Sequence, residues 1–212
     1  MGLGVDWAVK WLNLSAEAMA EHRVELIELD RAIGDADHGE NMDRGFQAVL
    51  QKLNESPPET AGAALKAAAM ALMSKVGGAA GPLYGTAYLR AATSLGDASE
   101  LDAGAVASAL AAARDGVVAR GKAELGDKTM VDAWSPAVEA AQKAADNGED
   151  ALSAFGRRLR YGLFRLLPYF APTGVPSDSH RVVPVGTPTP PRESLVTFAL
   201  SAGRSTKEIA VA

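Results

Sequence analysis

Apolar residues in this chain recur with one period, and that period is helical. In 61–76 they fall at Leu65, Ala69, Leu72, Met73 and Val76. Tyr84, Ala87, Tyr88, Ala91, Ala92 and Leu95 repeat the spacing, as do Val106, Leu110, Ala113 and Val117. Val131, Trp134, Val138, Ala141 and Ala145 repeat it again. Residues 5–32 carry it through Trp7, Trp11, Leu14, Met19, Val24 and Ile27, with Ile33 just beyond, and 40–53 form a further helical segment. Each stripe is the buried face of an amphipathic helix. No strand-like alternation competes. The many alanines favour helix and let helices approach closely. Short connections carrying Gly, Pro, Asp or Ser suit antiparallel neighbours. The expectation is an all-α, up-down antiparallel bundle or barrel of about eight helices, with 1–212 as a single domain.

Charge and composition remove several functions. The chain has 21 basic and 26 acidic residues, a net charge of −5, which argues against a nucleic-acid surface. It has no cysteine, so disulfides, thiol nucleophiles and cysteine-held zinc are excluded. His22, His38 and His180 are too scattered for a metal-binding spacing. No apolar run nears the roughly 20 residues that span a bilayer, and no signal-peptide pattern opens the chain. A soluble, cytoplasmic protein without a membrane partner is expected.

The connections carry the chemistry. Between the first helical stretch and the 40–53 segment lies Asp30-Arg-Ala-Ile-Gly-Asp-Ala-Asp-His-Gly39, with three carboxylates at Asp30, Asp35 and Asp37. A glycine-bearing bend lined with hard oxygen ligands suits Mg²⁺, which binds a few carboxylates and leaves room for water and phosphate. Asp35 and Asp37, at i and i+2, would project to one side of extended chain. The same residues also suit a plain turn, with Asp37 capping the next helix. Two glycine-rich connections follow. In Val76-Gly-Gly-Ala-Ala-Gly-Pro-Leu-Tyr-Gly-Thr86, backbone N–H groups stand before a helix start, an anion cradle without the Walker ending. It also reads as a helix end followed by a Pro82 helix start. Arg120-Gly-Lys-Ala-Glu-Leu-Gly-Asp-Lys-Thr-Met130 has the same character, or is a turn capped by Asp127 or Thr129. Alternate connections of an up-down bundle share one end, so these three can converge on one ligand.

Residues 30–46, 76–86 and 120–130 together resemble the nucleotide-binding L subunit of bacterial dihydroxyacetone kinase, and the likeness runs in order over roughly 5–145. The resemblance implies an antiparallel barrel of eight helices that holds ADP or ATP with two Mg²⁺ ions at one end. By motif, Asp30, Asp35 and Asp37 would ligate the ions. His38 and Asn41 would lie at the phosphates or ribose. Gly78, Ala79 and Ala80 would offer backbone donors. The family often has Ser where Ala80 stands here, so that hydroxyl contact does not carry over. Gly121 and Met130 would flank adenine, although Met130 also suits plain core packing. No catalytic base or nucleophile is expected from this chain. A stand-alone L subunit resembles the phosphoenolpyruvate-dependent type. There a K subunit holds dihydroxyacetone, ATP on L phosphorylates it, and a phosphohistidine M subunit recharges the ADP. Two other functions stay open: a nucleotide-sensing partner of a transcription activator, and an inactive Mg²⁺-binding bundle.

The likeness stops in 155–191, which is rich in proline and arginine. The family has there a segment like Gly-Arg-Ala-Ser-Tyr-Leu-Gly-Glu-Arg, then Gly-His-x-Asp-Pro-Gly. Proline at such density excludes helix. Arg181-Val-Val-Pro-Val-Gly-Thr187 can be back-translated so that a one-base shift reads Ala-Ser-Tyr-Leu-Ser-Glu-Arg. A compensated shift of reading frame is therefore expected, and the gene's nucleotide sequence tests it. A helical segment over 193–202 is expected to follow.

Overall fold

The computed structural model describes residues 3–31, 35–127 and 129–151. The anomalous 155–191 segment and the expected 193–202 helix lie outside them. Among the described residues the chain forms seven α-helices and no named strand. These are α1 (Val5–Glu21), α2 (Arg23–Arg31), α3 (His38–Glu55), α4 (Ala61–Lys75), α5 (Ala80–Leu95), α6 (Ala103–Gly121) and α7 (Met130–Asp146). No helix among them is long and apolar enough to cross a membrane.

From α3 to α7 each helix packs on the next in sequence, while α1 lies against α3 and α4, and α2 lies on α3. Glycines at the contacts show that neighbours run antiparallel. Gly62, at the start of α4, abuts the Gly96 carbonyl just past the end of α5. Gly121, at the end of α6, lies against Leu83 in the first turn of α5. The all-α antiparallel architecture is as the periodicity implies.

The core is built from Leu12, Met19, Leu26, Met42, Phe46, Val49 and Leu72, all essentially without solvent contact. Burying each such side chain contributes about 1.5–3 kcal/mol. Trp11 stacks on Trp7 and tilts against Tyr88, which ties α1 to α5. Leu3 and Leu101 exchange two backbone hydrogen bonds and pin the start of the chain to the turn before α6.

Three expectations are corrected. Residues 5–32 are not one helix. The helix breaks in a turn at His22 (φ −96°, ψ 10°), whose N–H bonds the Ala18 carbonyl, and α2 begins at Arg23. That turn leaves Val24, expected in the buried stripe, 60% exposed. Met73 is 38% exposed, although the base of its side chain lies against Gly85 of α5.

Candidate functional site

The antiparallel order sets the starts of α3, α5 and α7 at the same end of the bundle. Direct contacts confirm two of these junctions. Asn41 in the first turn of α3 faces Gly77 just after α4, and the end of α6 at Gly121 touches Leu83 of α5. Each helix start presents backbone N–H groups and the positive end of a dipole. The three glycine-bearing connections therefore share one end of the molecule.

At that end the three predicted carboxylates come together. One ligand oxygen from each of Asp30, Asp35 and Asp37 lies within 4.8 Å of the others. Asp30 is the anchor. It sits near the C-terminal end of α2 at 8% exposure, and its Oδ2 accepts the N–H groups of Asp37 (2.8 Å) and His38 (3.2 Å). A buried carboxylate thus satisfies two amides at the start of α3 and replaces a side-chain cap, which Asp37 does not provide. Asp35 and Asp37 are exposed. The extended-chain account of their common side is corrected, because Ala36 between them has φ 61°, in the left-handed region. A tight turn brings the two carboxylates together where alternation would not.

The bend is also fixed from below. A Cβ on Gly39 would overlap the carbonyl of Arg23, so only glycine lets α3 start this close to α2. Arg23 and Glu40 add an exposed ion pair at 3.1 Å. Burial pushes the His38 imidazole below its usual pKa, and the charges of Asp30 and Asp37 work against that shift. Neutral imidazole keeps one ring nitrogen as an acceptor and one as a donor.

Asn41 is buried, one turn into α3. Its Oδ1 accepts from Arg44 Nη2, and Arg44 Nε reaches across to the Lys75 carbonyl at 3.1 Å. Arg44 and Gly77 were not among the sequence-derived site residues. The signal was available in the i, i+3 spacing of Asn41 and Arg44, which puts both on one helix face.

In the second connection Gly78 is left-handed (φ 62°) and Ala79 right-handed (φ −76°, ψ −26°) before α5 starts at Ala80. Alternation of that kind turns successive N–H groups toward one concavity. Nothing lies within 4 Å of where a Gly78 side chain would be, so the turn is not packed over on that side. Pro82 stands inside the first turn of α5, not at its first residue. In the third connection Thr129, not Asp127, caps α7, in a reciprocal box with Asp132. Asp132 also accepts the Gly126 N–H at 2.7 Å and so ties down the loop. Met130 begins α7, buried in the core at 6% exposure, and Gly121 is half-buried across the same connection.

Whether such a site fits Mg²⁺ is decided by its donors. They are three carboxylates and no nitrogen or sulfur, one held rigid by two amides and two on a short turn, gathered within 4.8 Å. That is the oxygen-only set a hard divalent cation takes. The class so defined is an all-helical bundle with a cation-competent acidic cluster set among helix N-termini.

A DAK2 domain model matches residues 32–160. The chain is 43% identical over 135 residues to the ADP-binding subunit DhaL of a PEP-dependent dihydroxyacetone kinase of Listeria innocua, a match spanning 64% of this chain and 68% of that protein. It is 42% identical over 146 residues to the corresponding DhaL of Escherichia coli, covering 69% of this chain and 70% of the other. The C. freundii dihydroxyacetone kinase, solved with AMP-PNP and Mg²⁺, superposes with a TM-score of 0.64 at 17% identity. That superposition covers 100% of this chain and 34% of the kinase, and at such identity it speaks for the fold. This chain belongs to the DAK2 domain family, among the L subunits of dihydroxyacetone kinases, which are phosphotransferases.

Proposed function

We propose that this chain is a single-domain L subunit (1–212) that binds ADP or ATP with Mg²⁺ and passes a phosphoryl group to dihydroxyacetone held on a partner K subunit. A phosphohistidine M subunit recharges the ADP. The observation that carries the reading is the gathering of Asp30, Asp35 and Asp37 at the end where α3, α5 and α7 begin. The names of the Listeria and Escherichia relatives, PEP-dependent and ADP-binding, support the nucleotide and the kinase context.

In this reading Asp30, Asp35 and Asp37 hold Mg²⁺, two ions by the family pattern. The metal, when bound, supplies charge neutralisation at the phosphates. His38 and Asn41 contact phosphate or ribose from the first turn of α3. The amides of Gly78, Ala79 and Ala80 donate to phosphate oxygens at the start of α5, where the dipole favours an anion. Gly121 and Met130 border adenine. This chain contributes no catalytic nucleophile or base. Phosphoryl transfer requires positioning and charge stabilisation, and these residues supply both. Contact with a transcription activator rests on family resemblance alone.

Native mass spectrometry and calorimetry test the reading. The expected results are co-purified ADP with Mg²⁺, and ADP binding that is lost on chelation. Phosphoryl transfer to dihydroxyacetone should then need added K and M subunits. A protein that binds no ADP with Mg²⁺ present would end the proposal.

A further inference from the structure

We infer that Arg44 is a positioning residue: it fixes the amide of Asn41 so that the NH₂ group, not the carbonyl oxygen, is offered to the phosphates of a nucleoside diphosphate. The inference rests on the nucleotide-binding reading above and adds a residue to it.

A primary amide is nearly symmetric in shape, and its two ends differ only in what they bond. A guanidinium has donors and no acceptor, so only the oxygen of Asn41 can face it. Arg44 Nη2 donates to Asn41 Oδ1, and the fork is held by a second bond from Nε to the Lys75 carbonyl at 3.1 Å. Lys75 is the last residue of α4, where carbonyls carry the negative end of the dipole and favour a cation. Arg44 therefore bridges two elements, the end of α4 and the first turns of α3.

Asn41 itself is 5% exposed, and its amide lies along the backbone of Gly77. The position a Gly77 Cβ would take is 3.2 Å from Asn41 Nδ2 and 3.3 Å from Oδ1, so a side chain there would press on the amide. Gly77 directly precedes the open turn at Gly78. With its oxygen committed to Arg44, Asn41 adds one more donor to the N–H groups at the start of α5. Reversed, the same amide would present a carbonyl oxygen to a polyanion and repel it. Arg44 is exposed, and its bond to Asn41 links it to the site.

A double-mutant cycle with ADP and saturating Mg²⁺, read by calorimetry, tests this. Arg44→Met keeps the aliphatic stem and removes the fork. It should raise the ADP Kd about tenfold, the scale of one hydrogen bond to a charged group. Arg44→Lys keeps the charge but cannot bond both acceptors, and it should recover only part of that loss. In an Asn41→Ala background, Arg44→Met should have no further effect. A full Arg44→Met effect in that background overturns the inference, since Arg44 would then act without Asn41. An unchanged Kd in Arg44→Met, with Asp35→Asn abolishing binding, also overturns it but leaves the functional reading standing. Unchanged binding in both removes the functional reading and this inference together. Should Arg44→Met lose its helical circular dichroism, Arg44→Lys carries the same cycle with the same deciding outcomes.

Discussion

Replacing Asp35 by Asn should make the metal-free protein more stable and the metal-loaded protein less so. Three carboxylates share one end of the bundle, with ligand oxygens within 4.8 Å of each other. At that separation, in water, two unit charges repel by about 0.9 kcal/mol. Asp35 takes part in two such pairs, and screening at physiological ionic strength roughly halves each, given a Debye length of about 8 Å. Asparagine keeps the shape and removes the charge, and Asp35 is exposed, so no buried partner is orphaned. The metal-free variant should therefore gain about 1 kcal/mol, and the gain should fade in about 1 M salt. With Mg²⁺ at a hundred times its Kd, the wild type gains about 2.7 kcal/mol by mass action. The variant, short of one ligand, should gain little. Urea denaturation with and without Mg²⁺, at low and high salt, reads all four states. Two results would refute the reasoning: a metal-free variant less stable than wild type, or a Mg²⁺ increment equal in both proteins.

Asp30 should behave in the opposite way, because it is buried and bonded to the Asp37 and His38 amides. Asp30→Ala should destabilise the metal-free protein by about 2–4 kcal/mol, while Asp30→Asn, still able to accept, should cost about 1 kcal/mol; urea midpoints check both. Gly39→Ala should cost about 1–3 kcal/mol, since its Cβ meets the Arg23 carbonyl and backbone must move; a wild-type midpoint would disprove the contact. Burial raises the Tyr88 phenol well above its ordinary pKa, so the unfolded chain ionises first. Stability is then fully present below about pH 10 and falls as pH rises past it; Tyr88→Phe should flatten that alkaline decline in a series of melts.

Helices were legible because their signal is local. Stripes such as Leu65–Ala69–Leu72 and Val106–Ala113–Val117 are buried where the period puts them. The acidic cluster was legible for the same reason, as its members lie within eight residues of one another. What was lost is what depends on direction. Nothing in the spacing of 5–32 says that the helix breaks at His22, since His and Arg are ordinary helix residues. Periodicity assigned Met73 to the core, yet it is 38% exposed, because spacing along one helix does not fix how much of a long side chain its neighbours cover. Alternation gave the right partnership of Asp35 and Asp37 for the wrong reason, because the left-handed Ala36 belongs to a bend that Asp30 organises from another helix. For Arg44 the i, i+3 spacing to Asn41 was legible, while its second bond, across to the Lys75 carbonyl, is hidden by sequence distance.

The site also has an electrostatic logic that follows from its placement. At this end the starts of α3, α5 and α7 carry about half a positive charge each and the ends of α2, α4 and α6 about half a negative charge each, so the dipoles nearly cancel and leave the three carboxylate charges to be met by other means. Three negative charges within 4.8 Å are more than a monovalent cation balances and suit a divalent ion. Under the proposed function, the diphosphate of the nucleotide would add further negative charge, which a second cation would offset. Asparagine at position 35 would remove one of these charges and one ligand. The substitution that relaxes the metal-free cluster thus weakens its hold on a divalent ion, and the two opposite effects expected of Asp35→Asn have a single cause.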